Sequence, residues 1–239
     1  ERLQANRART AGLVEGVAKV RGQLDATLTN TGSPMHSSHI PTTCRRFFGD
    51  DTVYVFDGGN ATVWASFYSE INRPDTLLST FKFGMLGAGV SQALGGQIAK
   101  PDSKVVCIIG DGAMGFHVQE LETALRNELP VIYIVLCDKQ WGMVKLTQTI
   151  GLQMLRPAIG TDAQGTINAD FEEIAFDKVA EAMGCHGERI SDPSEIEGAL
   201  ERCVDSGKPS VIHVDVDQNM HLFAPGLQEF KAMHQEPGA

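Results

Sequence analysis

Residues 104–138 of the sequence read KVVCIIGDGAMGFHVQELETALRNELPVIYIVLCD and carry the strongest fold signal in the chain. The runs 104–109 and 131–137 consist mainly of β-branched and other apolar residues, which is typical of strands buried on both faces. Residues 118–127, between these runs, have a helical pattern. A strand, a helix and a second strand predict two parallel strands, with the glycine-rich turn 110–115 at the carboxyl end of the first.

The same alternation of strand and helix patterns extends over most of the chain. Further strands are predicted at 52–56, within 184–192 and at 210–214, and further helices at 41–49, 61–71, 86–99, 172–183 and 193–206. This alternation predicts a three-layer α/β/α protein with a parallel sheet. We expect residues 1–46 to be a mainly helical connector, 47–217 the sheet domain and 218–239 a tail or lid. Residues 148–169 are expected to be a long loop or mobile segment.

Composition and charge exclude several classes of protein. The 239 residues are 42% hydrophobic and 21% charged, as in folded globular proteins rather than disordered chains. The net charge of −10 disfavours nonspecific binding to nucleic acid or to an anionic membrane. The sequence has no uninterrupted run of 18 apolar residues, so no membrane span is predicted. The five cysteines include no CxxC pair, so they predict neither a disulfide framework nor a zinc cluster and favour a reducing, cytoplasmic location.

The turn 110–115 and the residue after the next strand carry the chemistry. Read as GxGxxG, with Asp138 ending the following strand, the pattern is that of a dinucleotide site, so an NAD-binding oxidoreductase is one hypothesis. Asp111, however, stands between the first two glycines, where a bare carboxylate would repel a diphosphate. A divalent cation reverses this effect, because Asp111 and Asp138 offer the oxygen ligands that Mg²⁺ prefers. Two aspartates, Mg²⁺ and a diphosphate group are therefore the second hypothesis.

Three stretches of the sequence together resemble a known family. They are GDGAMGFHVQELETALRNELPVIYIVLCDKQWGM at 110–143, FDGGNATVWASFY at 56–68 and NRPDTLLSTFKFGMLGAGVSQALGGQIA at 72–99. With the 27-residue spacing of Asp111 and Asp138, they resemble the diphosphate-binding domain of the acetohydroxyacid synthase-like thiamine-diphosphate enzymes. That group includes decarboxylases, benzaldehyde lyases and 2-hydroxyacyl-CoA lyases. The resemblance implies the thiamine-diphosphate-binding fold for residues 47–217, with thiamine diphosphate and Mg²⁺ as cofactors.

The resemblance also implies roles for individual residues. Asp111 and Asp138 would ligate the metal through their side chains, and Gln140 through its backbone carbonyl. Leu86 would bend the cofactor from below, and Gly84 would offer a backbone carbonyl to its aminopyrimidine amine. Contacts with the diphosphate are implied for six further residues: Gly59, Asn60, Gly112, Ala113, Gly142 and Met143.

The sequence departs from this family at the metal position. Cys137 and Asp138 stand where the family has a pair of asparagines, so a carboxylate replaces an amide and adds negative charge beside the diphosphate. We expect Lys139 and the helix start near Gly142 to offset that charge.

A second departure concerns the substrate pocket, for which Trp141, Val144 and Thr147 are the candidates. Thr147 stands where the acetohydroxyacid synthases have a tryptophan that shapes the pocket for the second substrate. This difference favours a roomier or differently polar pocket, such as one for a CoA thioester or a bulky aldehyde.

No catalytic side chain is expected in this chain. The resemblance implies a catalytic glutamate on a separate pyrimidine-binding domain or subunit, and an active site shared within a homo- or hetero-oligomer. The implied function is that of an acetolactate-synthase-like carboligase or decarboxylase of 2-oxo acids. A 2-hydroxyacyl-CoA or acyloin lyase is the alternative, and a noncatalytic subunit is a further one. The expected partners are thus a small 2-oxo acid, aldehyde or acyl-CoA, with no nucleic acid and no membrane.

Other ionisable residues near these motifs have simpler interpretations. His36 and His39 have helical spacing, but no further ligands lie near them in the sequence, so they are not expected to bind a metal. His117 is expected to be a packed or surface histidine, and Glu120 and Glu122 are expected to form surface pairs.

Overall fold

The computed structural model describes residues 2–80, 83–159 and 166–226, with the backbone alone described for 152–159. Within these ranges six strands form one sheet, in the order β2-β1-β3-β4-β6-β5. Every neighbouring pair in this sheet is parallel. The strands are β1 (Val53–Phe56), β2 (Leu77–Ser79), β3 (Val105–Gly110), β4 (Ile132–Cys137), β5 (His186–Ile190) and β6 (Ser210–Asp215).

The described ranges also contain ten α-helices, most of which connect the strands. They are α1 (Arg2–Asp25), α2 (His39–Phe48), α3 (Asn60–Tyr68), α4 (Ala88–Ala99), α5 (Asp111–His117), α6 (Glu120–Arg126), α7 (Gly142–Ile159), α8 (Phe176–Ala182), α9 (Ile196–Ser206) and α10 (Gln218–Leu222). Asp192 caps the short 3-10 turn before α9, where its side chain accepts a hydrogen bond from the backbone N–H of Ser194.

Two hydrophobic cores lie on opposite faces of the sheet. Along β3, Val106 and Ile108 belong to one core and Cys107 and Ile109 to the other, as strand geometry requires. The first core is completed by α2, α3 and α9, and the second by α4, α5, α6 and α8. The predicted three-layer α/β/α architecture is therefore confirmed.

The strand order places a switch point between β1 and β3. From β1 the chain first goes to β2 on one side and then returns to β3 on the other. In open parallel sheets, ligands bind at the carboxyl ends of the strands beside such a point. The register pairs Phe56 with Ile108 and Gly110 with Leu136, so β1, β3 and β4 end at the same edge.

The strand predictions are confirmed except at β2, which the sequence analysis did not predict. β2 has only three residues, and all three are half-buried, so its apolar pattern is too short to stand out. The expected loop 148–169 is wrong over 148–159, where α7 continues. Gly151 and Pro157 suggested a break, whereas Met143, Leu146 and Ile150 have the spacing of one helical face. Residues 160–165 lie outside the described residues.

The two ends of the described chain pack differently. Most of α1 is exposed, and Leu24 is its buried residue, in a small cluster with Trp64 and Tyr68. The expected domain boundary at residue 46 falls inside α2, whose residues Ile40 and Cys44 belong to the first core. Of the predicted tail, residues 218–226 are described and include α10, whereas 227–239 lie outside the described residues. No helix in the described part of the chain combines the length and apolar character needed to cross a membrane.

Candidate functional site

A cleft opens where the loops after β1, β3 and β4 meet, at the switch point of the sheet. Most residues that the sequence analysis assigned to the cofactor or metal line this cleft. The lining residues are Gly58, Gly59, Asn60, Ala61, Leu86, Gly110, Asp111, Gly112, Ala113, Asp138, Gln140, Trp141, Gly142, Met143, Val144 and His221.

Asp111 is the first residue of α5, directly after β3, and its side chain is buried. Its Oδ1 accepts a hydrogen bond from the backbone N–H of Gly112 at 2.7 Å, and its Oδ2 accepts one from the backbone N–H of Lys139 at 2.8 Å. Lys139 adopts a positive φ of 56°, which turns the chain sharply after β4. The turn after β4 is thus tied to the carboxylate that follows β3.

Asp138 follows β4 and is also buried. Its Oδ2 accepts a hydrogen bond from Nε2 of Gln140 at 2.9 Å. The same Nε2 donates to the backbone carbonyl of Gln218 at 2.9 Å, while Oε1 of Gln140 accepts from Nζ of Lys145 at 2.8 Å. The side chain of Gln140 is thus hydrogen-bonded at both its nitrogen and its oxygen, and its backbone carbonyl is the atom that the resemblance implies as a metal ligand.

The electrostatics of the cleft favour a cation. Burial raises the pKa of both Asp111 and Asp138, and repulsion from Asp138 raises that of Asp111 further. Lys139 does not offset this charge as expected, because its Nζ pairs with Glu173 at 2.6 Å. The described residues that line the cleft include no Lys or Arg. A divalent cation would relieve the repulsion and restore the charged forms of both carboxylates.

The donor set fits Mg²⁺ in combination with a second ligand molecule. Within the described ranges, no group of three or more His, Cys, Asp or Glu side chains is placed to hold a metal. Two carboxylates and one backbone carbonyl leave about three positions of an octahedral Mg²⁺ site for diphosphate oxygens and water. The residues therefore suit Mg²⁺ bound together with a diphosphate rather than alone.

Glycines let the backbone come close in this cleft. A Cβ at Gly112 would lie 2.5 Å from Cζ3 of Trp141, and one at Gly142 would lie 2.6 Å from Nδ2 of Asn60. A Cβ at Gly58 would lie 2.6 Å from the carbonyl oxygen of Gly84. Each of these contacts is too short for a Cβ, so a side chain there would displace Trp141 or Asn60, and at Gly58 it would push apart two backbone segments.

Asp57 holds two of these loops together and was not singled out by the sequence analysis. Its buried carboxylate accepts hydrogen bonds from the backbone N–H groups of Gly58 at 2.6 Å, Gly87 at 3.0 Å and Gly89 at 2.6 Å. These bonds connect the end of β1 to the loop that carries Leu86, which lines the cleft. Gly84 lies in the same loop but is not among the lining residues. The signal available in the sequence was an acid directly after an apolar strand.

Trp141 forms a wall of the cleft within a group of aromatic rings. Its ring lies 5.9 Å from that of Phe116 and 5.4 Å from that of Phe171. The backbone N–H of Trp141 donates to the carbonyl of Ala169 at 2.8 Å, which fixes the segment after α7 beside the turn that follows β4. Of the other pocket candidates, Val144 lines the cleft, whereas Thr147 is exposed on α7 and does not.

The C-terminal helix α10 supplies a lining residue that the sequence analysis missed, His221. The carbonyl of His221 accepts hydrogen bonds from Nε1 of Trp64 at 2.9 Å and from Nδ2 of Asn60 at 3.4 Å. Oδ1 of Asn60 is buried and has no hydrogen-bond partner among the described residues. The sequence offered no local signal for His221, because it is packing that brings α10 to the cleft.

The remaining residues named from the sequence lie outside the cleft. His36 contacts Oγ of Ser38 at 2.6 Å, and His39 contacts the carbonyl of Asn30 at 2.7 Å. His117 packs against the loop that carries Leu86 and Gly87, since its Nδ1 would lie 2.5 Å from a Cβ placed on Gly87. Glu120 accepts a hydrogen bond from Thr123, and Glu122 pairs with Arg126 at 3.0 Å.

Several known proteins have sequences similar to that of this chain. A stretch of 168 residues is 33% identical to the acetolactate synthase isozyme 2 large subunit of Escherichia coli (strain K12), covering 70% of this chain and 29% of that protein. A probable acetolactate synthase of Mycobacterium bovis is 30% identical over 200 residues, covering 82% of this chain and 34% of that protein. The acetolactate synthase of Bacillus subtilis (strain 168) is 31% identical over 187 residues, covering 78% of this chain and 31% of that protein. The chain thus spans about a third of the length of these relatives.

A solved structure and a family model complete the comparison. The fold matches that of a thiamine diphosphate-dependent 4-hydroxybenzoylformate decarboxylase from Rhodococcus jostii RHA1 with a TM-score of 0.66. The two chains are 22% identical, and the match covers 79% of this chain and 34% of that one. Residues 57–214 match the model of the thiamine pyrophosphate enzyme C-terminal TPP binding domain. This range contains the residues that line the cleft, with the exception of His221 on α10. By this match and by its sequence relatives, the chain belongs to the family of thiamine pyrophosphate enzyme C-terminal TPP binding domains.

Proposed function

We propose that this chain is the diphosphate- and metal-binding domain of a thiamine-diphosphate- and Mg²⁺-dependent enzyme that forms or breaks a C–C bond beside a carbonyl group. The reaction class that we favour is an acetolactate-synthase-like carboligase or decarboxylase of 2-oxo acids, as the names of the sequence relatives suggest. One observation carries the proposal. Two buried carboxylates, Asp111 and Asp138, lie at adjacent strand ends in a cleft whose described lining includes no Lys or Arg.

In this proposal the chain holds and orients the cofactor. Asp111, Asp138 and the carbonyl of Gln140 hold Mg²⁺, and the backbone at Gly112 and Gly142 approaches the diphosphate. The side chain of Leu86 supports the ring system from the wall of the cleft, on a loop that Asp57 keeps in place. Thiamine diphosphate, when bound, supplies the carbon nucleophile and the electron sink of the reaction.

The active site also requires a partner. Within the cleft, the lining acids are Asp111 and Asp138, and both are assigned to the metal. We therefore propose that a glutamate on a pyrimidine-binding domain or subunit completes the site in an oligomer. The share of the relatives that this chain covers, about a third, leaves room for such a domain.

The cofactor assignment is tested by calorimetric titration of the complete protein with thiamine diphosphate, in Mg²⁺ and in EDTA. We expect binding that requires Mg²⁺ and that is weakened more than about a hundredfold by Asp111→Asn, since this change removes a charged metal ligand. Binding that is independent of metal, or equally tight in Asp111→Asn, would contradict the assignment and would favour a dinucleotide site.

Asp138→Asn is the matched variant. Asparagine keeps an oxygen at the ligand position and restores the amide that is usual in the resembling enzymes. We expect this variant to retain Mg²⁺-dependent binding of thiamine diphosphate. Loss as severe as in Asp111→Asn would refute the equivalence of Asp138 with an amide ligand.

The reaction is tested on protein whose cofactor occupancy has been measured. We expect pyruvate to yield acetolactate, and no product at full occupancy would refute the 2-oxo acid assignment. The second candidate is a 2-hydroxyacyl-CoA or acyloin lyase, which the threonine at position 147 suggests by comparison with the resembling enzymes, although Thr147 is exposed on α7 and does not line the cleft. That candidate predicts release of an aldehyde from such substrates by the same protein.

A further inference from the structure

His221 presents an imidazole to the cleft from outside the region that the family model covers. Its side chain is 3% exposed, and its ring stacks on that of Trp64 with 6.2 Å between the centroids. Its backbone N–H donates to the carbonyl of Asp217 at 2.8 Å, and its carbonyl accepts from Trp64. Both the backbone and the ring of this histidine are therefore held in place.

A serine from the loop before α2 contacts one nitrogen of this ring. Nδ1 of His221 lies 2.7 Å from Oγ of Ser37, which is itself 2% exposed. Burial lowers the pKa of His221 to about 3, so the ring is neutral and carries a single N–H. When the Ser37 hydroxyl donates to Nδ1, that N–H is on Nε2, which has no hydrogen-bond partner among the described residues.

The proposed ligand needs such a donor. A diphosphate brought beside Asp111 and Asp138 adds negative charge to a cleft whose described lining has no Lys or Arg. His221 lies at the end of the cleft formed by Asn60 and Gln140, because α10 is hydrogen-bonded to both of these side chains. Asn60 and Gly142, which meet at this end, are among the residues for which diphosphate contacts are expected.

We propose that Nε2–H of His221 donates a hydrogen bond to a phosphate oxygen of the bound diphosphate, with Ser37 as the positioning residue that holds the donating tautomer. This inference rests on the proposed function. It assigns a role in cofactor binding to α10, and it makes the loop that carries Ser37 part of the same site.

The test measures three affinities of the complete protein: thiamine diphosphate with Mg²⁺, inorganic pyrophosphate with Mg²⁺, and Mn²⁺ alone by electron paramagnetic resonance. His221→Phe keeps the ring but removes the donor. We expect its affinity for both diphosphates to fall about tenfold to a hundredfold, as for the loss of a hydrogen bond to a charged group. Its Mn²⁺ affinity should match that of the wild type, because His221 is not a metal ligand. His221→Gln, which retains an N–H donor, should stay within about threefold of the wild type for all three.

The outcomes separate this inference from the proposed function. A wild-type protein that binds neither diphosphate refutes both. Wild-type binding with an unchanged His221→Phe variant refutes the role of His221 alone, as does an equal loss of Mn²⁺ and diphosphate affinity, which would mark a structural effect. If His221→Phe does not fold by circular dichroism, Ser37→Ala decides the question. We expect it to weaken pyrophosphate binding severalfold at unchanged Mn²⁺ affinity, and unchanged pyrophosphate binding refutes the inference.

Discussion

Replacing Gly112 with alanine tests whether the first turn of α5 packs directly against the ring of Trp141. The added Cβ would lie 2.5, 2.8 and 3.0 Å from three ring carbons of Trp141, whereas nonbonded carbons prefer about 3.5–4.0 Å. The ring of Trp141 must therefore move by about 1 Å. This movement is resisted because Phe171 packs against the ring and the backbone N–H of Trp141 is hydrogen-bonded to Ala169. Overpacking of this kind costs about 1–3 kcal/mol, which corresponds to a fall of about 2–12 °C in the melting temperature.

The assay is urea unfolding followed by far-ultraviolet circular dichroism, with two further variants. Gly115→Ala, in the same helix, is the control, since a Cβ there meets nothing within 4 Å and the change should be neutral or stabilising. Trp141→Leu shortens the obstructing side chain, so it should remove much of the cost of Gly112→Ala in a double-mutant cycle. Neither glycine has a positive φ, so backbone strain does not contribute. A Gly112→Ala protein as stable as the wild type, or a strictly additive cycle, would refute the reasoning.

Three further predictions concern other parts of the molecule. Asp57→Asn leaves one acceptor oxygen for three backbone N–H donors, so it should lower the free energy of unfolding by about 2–4 kcal/mol and weaken thiamine diphosphate binding. An unchanged midpoint of urea unfolding would contradict this. His221 is neutral in the folded protein because burial lowers its pKa to about 3, whereas the unfolded chain binds a proton below about pH 6.5. The contribution of His221 to stability should therefore fall by about 1.4 kcal/mol per pH unit as the pH drops below 6.5, opposite in sign to the contributions of Asp111 and Asp138, whose pKa burial raises. His221→Gln should remove the His221 share of the slope measured by urea unfolding. Leu24→Ala should release α1 and speed tryptic cleavage within it, whereas Leu13→Ala, at a side chain that is 61% exposed, should leave the cleavage rate unchanged.

The sequence alone predicted the layered sheet and the location of the site. Strands such as β3 and β4 are continuous apolar runs, and parallel strands end at one edge, so Asp111 and Asp138 could be paired before any coordinates existed. Local patterns failed where the signal was short or misleading. β2 has three half-buried residues, and the glycine and proline of α7 suggested a loop although the backbone is helical there.

Only the tertiary structure decided which side chains support the pair of aspartates. Lys139 was expected to offset their charge, but its ammonium pairs with Glu173, and it is the backbone N–H of Lys139 that reaches Asp111. Ser37 and His221 are 184 residues apart and meet at 2.7 Å because α10 packs against α3 and the loop before α2. The spacing of apolar residues in a sequence indicates which face of each helix or strand is buried. Contacts between distant residues, such as Ser37 and His221, depend on how whole elements pack together. The sequence therefore determined the fold and the acidic pair, and packing determined the surroundings of that pair.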